Sequence, residues 1–456
     1  MPIRSQNPAT DELLETFAET PPAAVEAALA RAHAAFLHWR EVPIPERAEP
    51  LKRAAALLRD GAAEYARTMA LEMGKPVTQG EGEAKKCAVA CDYYAEHAAA
   101  LLAPEERPSD AWRSLVRYDP LGVVLAIMPW NFPFWQVFRF LAPALMAGNA
   151  ALLKHAPNVP RCALHIEDIL RRAGFPEGLF QNLFIEPGRV PPVLADPRVA
   201  AVTLTGSDRA GSEVAAQAGR ALKKAVLELG GSDPFIVLAD ADVAEAARVA
   251  ADARLINSGQ SCIAAKRFIV VEAVADRFLE AFVARMAGAA ARMGDPLDRA
   301  TELGPQARHD LRQNLHRQVE ASVERGARLL LGGAVPAGPG AFYPPTVLDA
   351  AGPGMPVFDE ETFGPVAAVV RAQDEAHALD LANQTAYGLG ASLWTADRAR
   401  GERLAGRIEA GCVFVNGMVK SDPRLPFGGI KRSGFGRELG DIGLREFVNV
   451  KTVWIG

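Results

Sequence analysis

Two side chains in this sequence pair a nucleophile with a base. Cys262 lies in Asn257-Ser258-Gly259-Gln260-Ser261-Cys262, and Glu228 in Leu227-Glu228-Leu229-Gly230-Gly231. A thiolate attacks carbonyl carbon readily, and a carboxylate can take a proton from the thiol or from a water. A lone cysteine is more often a small buried hydrophobe; the partnered Glu228 and the local context favour the catalytic reading. Asn131, in Met128-Pro129-Trp130-Asn131-Phe132-Pro133-Phe134-Trp135, is a third candidate. Its amide donates hydrogen bonds without being consumed as an acid, which suits a developing oxyanion. The competing reading is a plain Asn-Phe-Pro turn.

The elements around these residues alternate between strand and helix. Val123 to Met128 is a continuous apolar run, as expected of a buried parallel strand. Further strands are expected at Ala150–Leu153, Val199–Thr203, Ala225–Leu229, Phe235–Leu238 and Phe268–Val271, with helices at Ala241–Asn257 and Val274–Met293. This alternation predicts an α/β protein with parallel sheets. A helical opening spans Pro22 to Ala103, where apolar residues recur at helical spacing. Trp112 to Tyr118 reads as a short strand, and Phe447 to Ile455 as a strand that needs a partner edge, which a neighbouring subunit could supply.

No G-x-G-x-x-G stands where a strand meets a helix. Gly434-Phe435-Gly436 with Gly440 has no strand before it and is rejected. Leu204-Thr205-Gly206-Ser207-Asp208-Arg209-Ala210-Gly211 does follow a strand, and a Gly-Ser turn opening a helix can present N–H groups to a phosphate. A simple helix cap is the alternative. Lys154 closes a strand, at the end where cofactors sit in open α/β sheets.

The chain has 456 residues, enough for two or three domains. With 49% hydrophobic and 23% charged residues it is an ordinary globular composition. A net charge of −5 gives no footprint for nucleic acid or an anionic membrane. The five cysteines (Cys87, Cys91, Cys162, Cys262, Cys412) show no metal-ligand spacing, so no metal is expected. Their odd number suits free thiols in a reducing compartment. The start lacks the apolar core of a signal peptide, and Leu141 to Leu153 is too short to span a bilayer. A cytoplasmic protein is expected.

Asn-x-Gly-Gln-x-Cys downstream of Glu-Leu-Gly-Gly resembles the aldehyde dehydrogenase superfamily, as does Pro-Trp-Asn-Phe-Pro at Asn131. The resemblance continues through Thr-Gly-Ser-x-x-x-Gly at Gly206, Ser207 and Gly211. It extends to Glu360-Glu361-Thr362-Phe363-Gly364-Pro365 and to Pro426-Phe427-Gly428-Gly429-Ile430-Lys431-Arg432-Ser433-Gly434, essentially the whole chain. It implies Cys262 as nucleophile, Glu228 as base toward the hydrolytic water, and Asn131 with the Cys262 amide as oxyanion donors. It also implies a coenzyme site with Trp130, Lys154, Gly206, Ser207, Gly211, Glu361 and Phe363, in which Glu361 accepts from the nicotinamide ribose and Lys154 meets the adenosine ribose or its 2′-phosphate. One position departs: three residues after Lys154, where NAD-specific relatives often carry glutamate, this chain has Pro157. NAD and NADP both stay open. The implied fold is a Rossmann-like cofactor domain (1–103 and 121–229), an α/β catalytic domain (230–432), and a small β oligomerisation extension (104–120 and 445–456) that makes dimers or tetramers.

Substrate choice rests on fewer residues. If the stretch after Asn131 is helical, Arg139 lies about two turns along it, among Phe132, Phe134, Trp135 and Phe138. An arginine there needs an anion, either a substrate carboxylate or an internal salt bridge. Arg432 offers a second cation on an opposite wall, and Ser261 a hydrogen bond. Pro-Trp-Asn-Phe-Pro-x-Trp-Gln-Val-x-Arg, Leu-Leu-Lys-His-Ala-Pro-Asn-Val and Gly-Gln-Ser-Cys-Ile-Ala-Ala-Lys-Arg look like the short bacterial succinate-semialdehyde dehydrogenases, which implies succinic semialdehyde as substrate. Glutaric semialdehyde and aliphatic aldehydes are the alternatives, because one methylene is worth only ~1–3 kcal/mol in a pocket. A CoA-acylating enzyme is disfavoured by Glu228, and an inactive binding protein by the presence of all three catalytic candidates.

Overall fold

The apolar runs become the central strands of two sheets in the computed structural model, which describes residues 3–456. The first sheet has the spatial order Gly434–Phe435, Lys224–Glu228, Val199–Thr205, Val123–Met128, Ala150–His155, Phe180–Asn182. The last five are parallel. Gly434–Phe435 is an antiparallel edge against Leu227 and Glu228. The chain begins at Val123–Met128, steps outward through Ala150 and Phe180, and crosses back to Val199. The order therefore reverses between Val123–Met128 and Val199–Thr205, and ligands of open α/β sheets bind beyond the carboxyl ends of the strands at such a switch. Trp130 and Asn131 follow the first of these strands, and Gly206 and Ser207 the second.

The second sheet runs Arg328–Leu331, Thr346–Asp349, Val366–Ala372, Arg267–Val271, Pro234–Val237, Gly390–Trp394, Cys412–Val415. It is parallel except for the first pair. Alternation along its strands feeds two cores. Phe235, Phe268 and Val270 face the helices Val243–Leu255 and Glu272–Ala290. Ile236, Ile269 and Leu393 face the helices His309–Glu324 and Glu375–Asn383. Only Leu229–Asp233 separates the strand ending at Glu228 from the one starting at Pro234, and Cys262 precedes Arg267. Carboxyl ends of one sheet thus meet amino ends of the other, and the candidate residues fall at that junction.

Val448–Ile455 pairs antiparallel with Arg113–Pro120 of its own chain, which in turn pairs with Glu105–Glu106. The partner edge for the terminal strand is therefore supplied internally. A hairpin of Ile3–Gln6 and Leu13–Phe17 precedes the helical opening and was not anticipated. Among the described residues, no helix is long and apolar enough to cross a membrane.

Candidate active site

The segment leading to Cys262 leaves helical geometry abruptly. Asn257 (φ 54°, ψ 42°) and Ser258 (φ 54°, ψ 33°) are left-handed, and Gly259 follows at φ 77°. A non-glycine residue held there costs of order 1–3 kcal/mol, so the surroundings must enforce it. The Asn257 N–H donates to Gln79 Oε1 at 2.8 Å, and Ser258 Oγ accepts from Gly304 N–H at 3.0 Å. Gly259 presses on the Gly364 backbone so closely that a Cβ would lie 2.2 Å from its carbonyl carbon. Buried cations bind the loop's carbonyls. Arg254 donates to Gly259 O at 2.6 Å, and Lys266 Nζ donates to the carbonyls of Ser261 (3.1 Å), Cys262 (2.7 Å) and Ala264 (3.0 Å). Neither cation was singled out from sequence. Their signal there was only proximity to Cys262.

Asn131 is 4% exposed, and its Nδ2 donates to Gln260 O at 3.1 Å. Asn257 Nδ2 donates to Asn131 O at 2.7 Å and to the same Gln260 carbonyl at 3.1 Å. The asparagine is thus tied to the loop that carries Cys262. A cavity of about 310 Å³ joins Asn131 and Cys262 to Trp130, Thr205, Gly206, Ser207, Glu361 and Phe363. Gln136, which sequence reasoning missed, also lines it, with an unpartnered buried amide oxygen. Trp130 and Phe363 meet edge to face with centroids 5.7 Å apart.

These residues fit a dinucleotide. Ser207 caps the helix Asp208–Arg220, and its Oγ accepts from Ala210 N–H at 3.3 Å. Gly206 leaves open space, where a Cβ would meet only Leu204 at 3.5 Å. Glu361 takes the Gly231 N–H at 3.0 Å and lies 3.8 Å from Lys266 Nζ. Gly230 is needed for that approach, since a Cβ there would sit 2.5 Å from Glu361 Oε2. Gly211 acts differently from expectation. A Cβ there would meet Leu229 at 2.5 Å, so this glycine serves close packing of the helix on the sheet. Lys154 is buried at the carboxyl end of the next strand, and Pro157 lies exposed in the turn after it.

Glu228 is 2% exposed and lies against Gly428, where a Cβ would be 2.7 Å from Oε1. Burial pushes its carboxyl well above the ordinary range; Arg139 opposes this and Glu438 adds to it. Burial likewise pushes the Cys262 thiol up to about 12, against the pull of Arg139 and Lys266. Burial thus favours the neutral form of each group, and Cys262 is a thiol that must lose its proton, rather than a resting thiolate.

The expected substrate clamp is not assembled. Arg139 is 2% exposed and ion-paired with buried Glu438. It also donates to Thr205 Oγ1 at 3.3 Å and stacks over Phe427 at 4.9 Å. Desolvation demanded an anion, and the chain supplied one from its C-terminal segment. Arg432 is 66% exposed and pairs with Asp208 at 2.7 Å, outside the start of the Asp208–Arg220 helix. Ser261 is 1% exposed and is held through its carbonyl. Trp135 lines a second cavity, of about 420 Å³, shared with Phe132.

Two outcomes follow. Alkylation of Cys262 by iodoacetamide in the free protein should accelerate about tenfold per pH unit from pH 6 to 9, because only the thiolate reacts. A plateau near pH 7 would show a thiolate already formed. Removing one partner of a buried pair costs about 3–5 kcal/mol. Arg139→Met should therefore lower unfolding stability by that amount in denaturant, and Arg139→Met/Glu438→Leu should recover most of it. Additive losses would show that the two side chains are not coupled.

The sequence model of the aldehyde dehydrogenase family matches residues 1–453. The chain is 52% identical over 462 residues to a succinate-semialdehyde dehydrogenase [NADP(+)] of Mycobacterium avium (strain 104), covering 100% of this chain and 97% of that protein. It is 50% identical over 455 residues to a probable enzyme of the same name from Synechocystis, covering all of both. Among solved structures it is similar to succinic semialdehyde dehydrogenase from Streptococcus pyogenes in complex with NADP+, with TM-score 0.97, 38% identity and 99% of both chains covered. It is also similar to an NAD-dependent aldehyde dehydrogenase from Sinorhizobium meliloti, with TM-score 0.95, 34% identity, and 100% of this chain and 91% of that one covered. Matched by the family model over nearly its whole length and half identical to its relatives, with Cys262, Asn131 and Glu361 around one cavity, this chain belongs to the aldehyde dehydrogenase family.

Proposed function

We propose that the protein oxidises succinic semialdehyde to succinate, with NADP+ or NAD+ as hydride acceptor. What carries this reading is the 52% identity, over the entire chain, to a relative bearing that activity in its name. NADP+ is included because Pro157 places no carboxylate against a 2′-phosphate, and Lys154 has no acidic partner among the described residues. NAD+ is included because a proline there does not obstruct a ribose hydroxyl.

Cys262 Sγ forms a bond to the aldehyde carbon as its proton passes to Glu228 and on to solvent, and the oxyanion of the thiohemiacetal is held by Asn131 Nδ2 and the Cys262 N–H. Gly206, Ser207, Glu361, Trp130 and Phe363 would hold the dinucleotide, with Lys154 at its adenosine ribose. When bound, the dinucleotide supplies the acceptor for the hydride leaving the thiohemiacetal carbon. Glu228 then takes a proton from water as that water attacks the Cys262 thioester, and the carbon–sulfur bond breaks to release the acid and the thiol.

In this reading 1–103 and 121–229 bind the dinucleotide, 230–432 carry Cys262, and 104–120 with 445–456 join copies into dimers or tetramers. Val450 and Trp454, 61% and 55% exposed on the outer strand, give that ribbon an apolar face for a second copy. Cytoplasmic action is supported by five free thiols.

The deciding experiment compares kcat/KM for succinic semialdehyde, glutaric semialdehyde and butanal with each coenzyme. A preference for succinic semialdehyde of tenfold or more is expected. Equal values would leave the substrate as a general aldehyde. Glu228→Gln should produce a stoichiometric burst of reduced coenzyme followed by turnover slowed about 10²–10⁴-fold. A linear trace at the normal rate would remove Glu228 from the hydrolytic step.

A further inference from the structure

The second cavity, of about 420 Å³, is lined by Phe132 and Trp135 from the segment that also carries Asn131. Its opposite side is the helix Val77–Leu101, which contributes Glu83 and Lys86. The charges around it cancel one by one, with a single exception. Lys75 is ion-paired with Glu83, and its ammonium stands 3.9 Å over the Phe132 ring. Glu83 is further occupied by the N–H groups of Phe134 and Trp135, each at 2.9 Å. Asp252 and Glu302 are bound by Arg285 at 2.9 and 2.5 Å. The exception is Lys86. Its Nζ donates to Ser421 Oγ at 2.7 Å and sits 4.2 Å from the Trp135 centroid, with no acidic partner among the described residues. The neighbouring Asp422 is held by Arg424 at 2.6 Å.

A half-buried ammonium without a counter-ion, fixed by a hydroxyl and an aromatic face, is prepared for an anion. Both arginines expected from sequence to play that part are already neutralised, Arg139 by Glu438 and Arg432 by Asp208. We propose that Lys86, steadied by Ser421 over the Trp135 ring, receives the distal carboxylate of the substrate in this cavity. The inference rests on the proposed oxidation of succinic semialdehyde and names the group that selects the acid over an uncharged aldehyde. Phe132 and Trp135, one and four residues after Asn131 in the chain, give the cavity apolar walls for the intervening methylenes.

Selectivity should then depend on the charge of Lys86. Burial, followed by Arg139, draws that ammonium down to about 8, while Cys87, Glu83 and Asp422 oppose the fall. The cation is present below that pH and lost above it. Glu83, Asp422 and Arg139 are each engaged by an opposite charge, and Cys87 is a buried thiol that burial keeps protonated.

The test is the ratio of kcat/KM for succinic semialdehyde to that for butanal, across pH 6.5 to 10. A charge-assisted contact is worth ~1.5–3 kcal/mol, so Lys86→Met should lower the ratio roughly 10- to 100-fold. Lys86→Arg should restore most of it and extend it to higher pH. The unaltered enzyme should lose the ratio above pH 8, and Ser421→Ala should lose a smaller part. A ratio that Lys86→Met leaves intact, or that stays level above pH 8 in the unaltered enzyme, overturns the role of Lys86. The pH series needs no variant to fold. An unaltered enzyme with a ratio near one overturns the proposed substrate itself, which separates that failure from a failure of Lys86 alone.

Discussion

The backbone between Arg254 and Cys262 is held against its own preference, and much else in the molecule is arranged to hold it. Asn257 and Ser258 occupy left-handed conformations, and Gly259 continues the turn. In isolation such a segment would relax toward helix or extended chain. Here its carbonyls are bound by Arg254 and Lys266, and Gly259 is wedged on Gly364. Arg267 secures the strand that follows, through the carbonyls of Ser232, Leu381 and Ala382. Burying three cations is costly unless each meets acceptors, and backbone carbonyls are those acceptors, of the Cys262 segment for Arg254 and Lys266 and of neighbouring elements for Arg267. The arrangement turns Cys262 toward the carboxyl ends of the other sheet.

A second consequence of burial concerns protons. The Cys262 thiol and the Glu228 carboxyl, the nucleophile and base of the proposed reaction, are both driven by burial toward their neutral forms. Arg139 and Lys266 favour the Cys262 anion, and Arg139 favours that of Glu228, yet desolvation outweighs them in each case. A thiol held in its neutral form is protected from adventitious reaction. Chemistry then requires proton transfer concerted with bond formation, or a change in local charge when the coenzyme's cationic ring enters.

The substrate end follows a different logic. Internal ion pairs neutralise the other charges at the Phe132–Trp135 cavity and leave Lys86 alone. A residual charge in partly desolvated surroundings exerts a stronger pull than the same charge at the surface. In the proposed roles, selection by the Lys86 charge and placement by Asn131 can be varied separately, because Lys86 lies on the helix Val77–Leu101 and Asn131 on the turn after Val123–Met128.

Strand runs such as Val123–Met128 and Val199–Thr203 were legible because a strand covered on both faces must be largely apolar, and the second runs on to Thr205 in the structure. Cys262, Glu228 and Asn131 stood out because their local patterns and order along the chain matched a known family. The later strands of the second sheet, Thr346–Asp349 and Gly390–Trp394 among them, are short and lie between turns, so they gave little periodic signal. Arg139 shows where reading by sequence ended. Its need for an anion follows from its apolar neighbours, and a substrate carboxylate and an internal partner satisfy that need equally well. Glu438 is 299 positions away, and folding alone brings it to the guanidinium. Residue type and local spacing were enough for the alternating α/β order and for singling out Cys262, Glu228 and Asn131 as candidates, because both are properties of short stretches of chain. Only the tertiary structure decided which charges cancel, which thiol and carboxyl are desolvated, and that Lys86 is left to face the cavity, because charge balance and burial depend on contacts between distant parts of the chain.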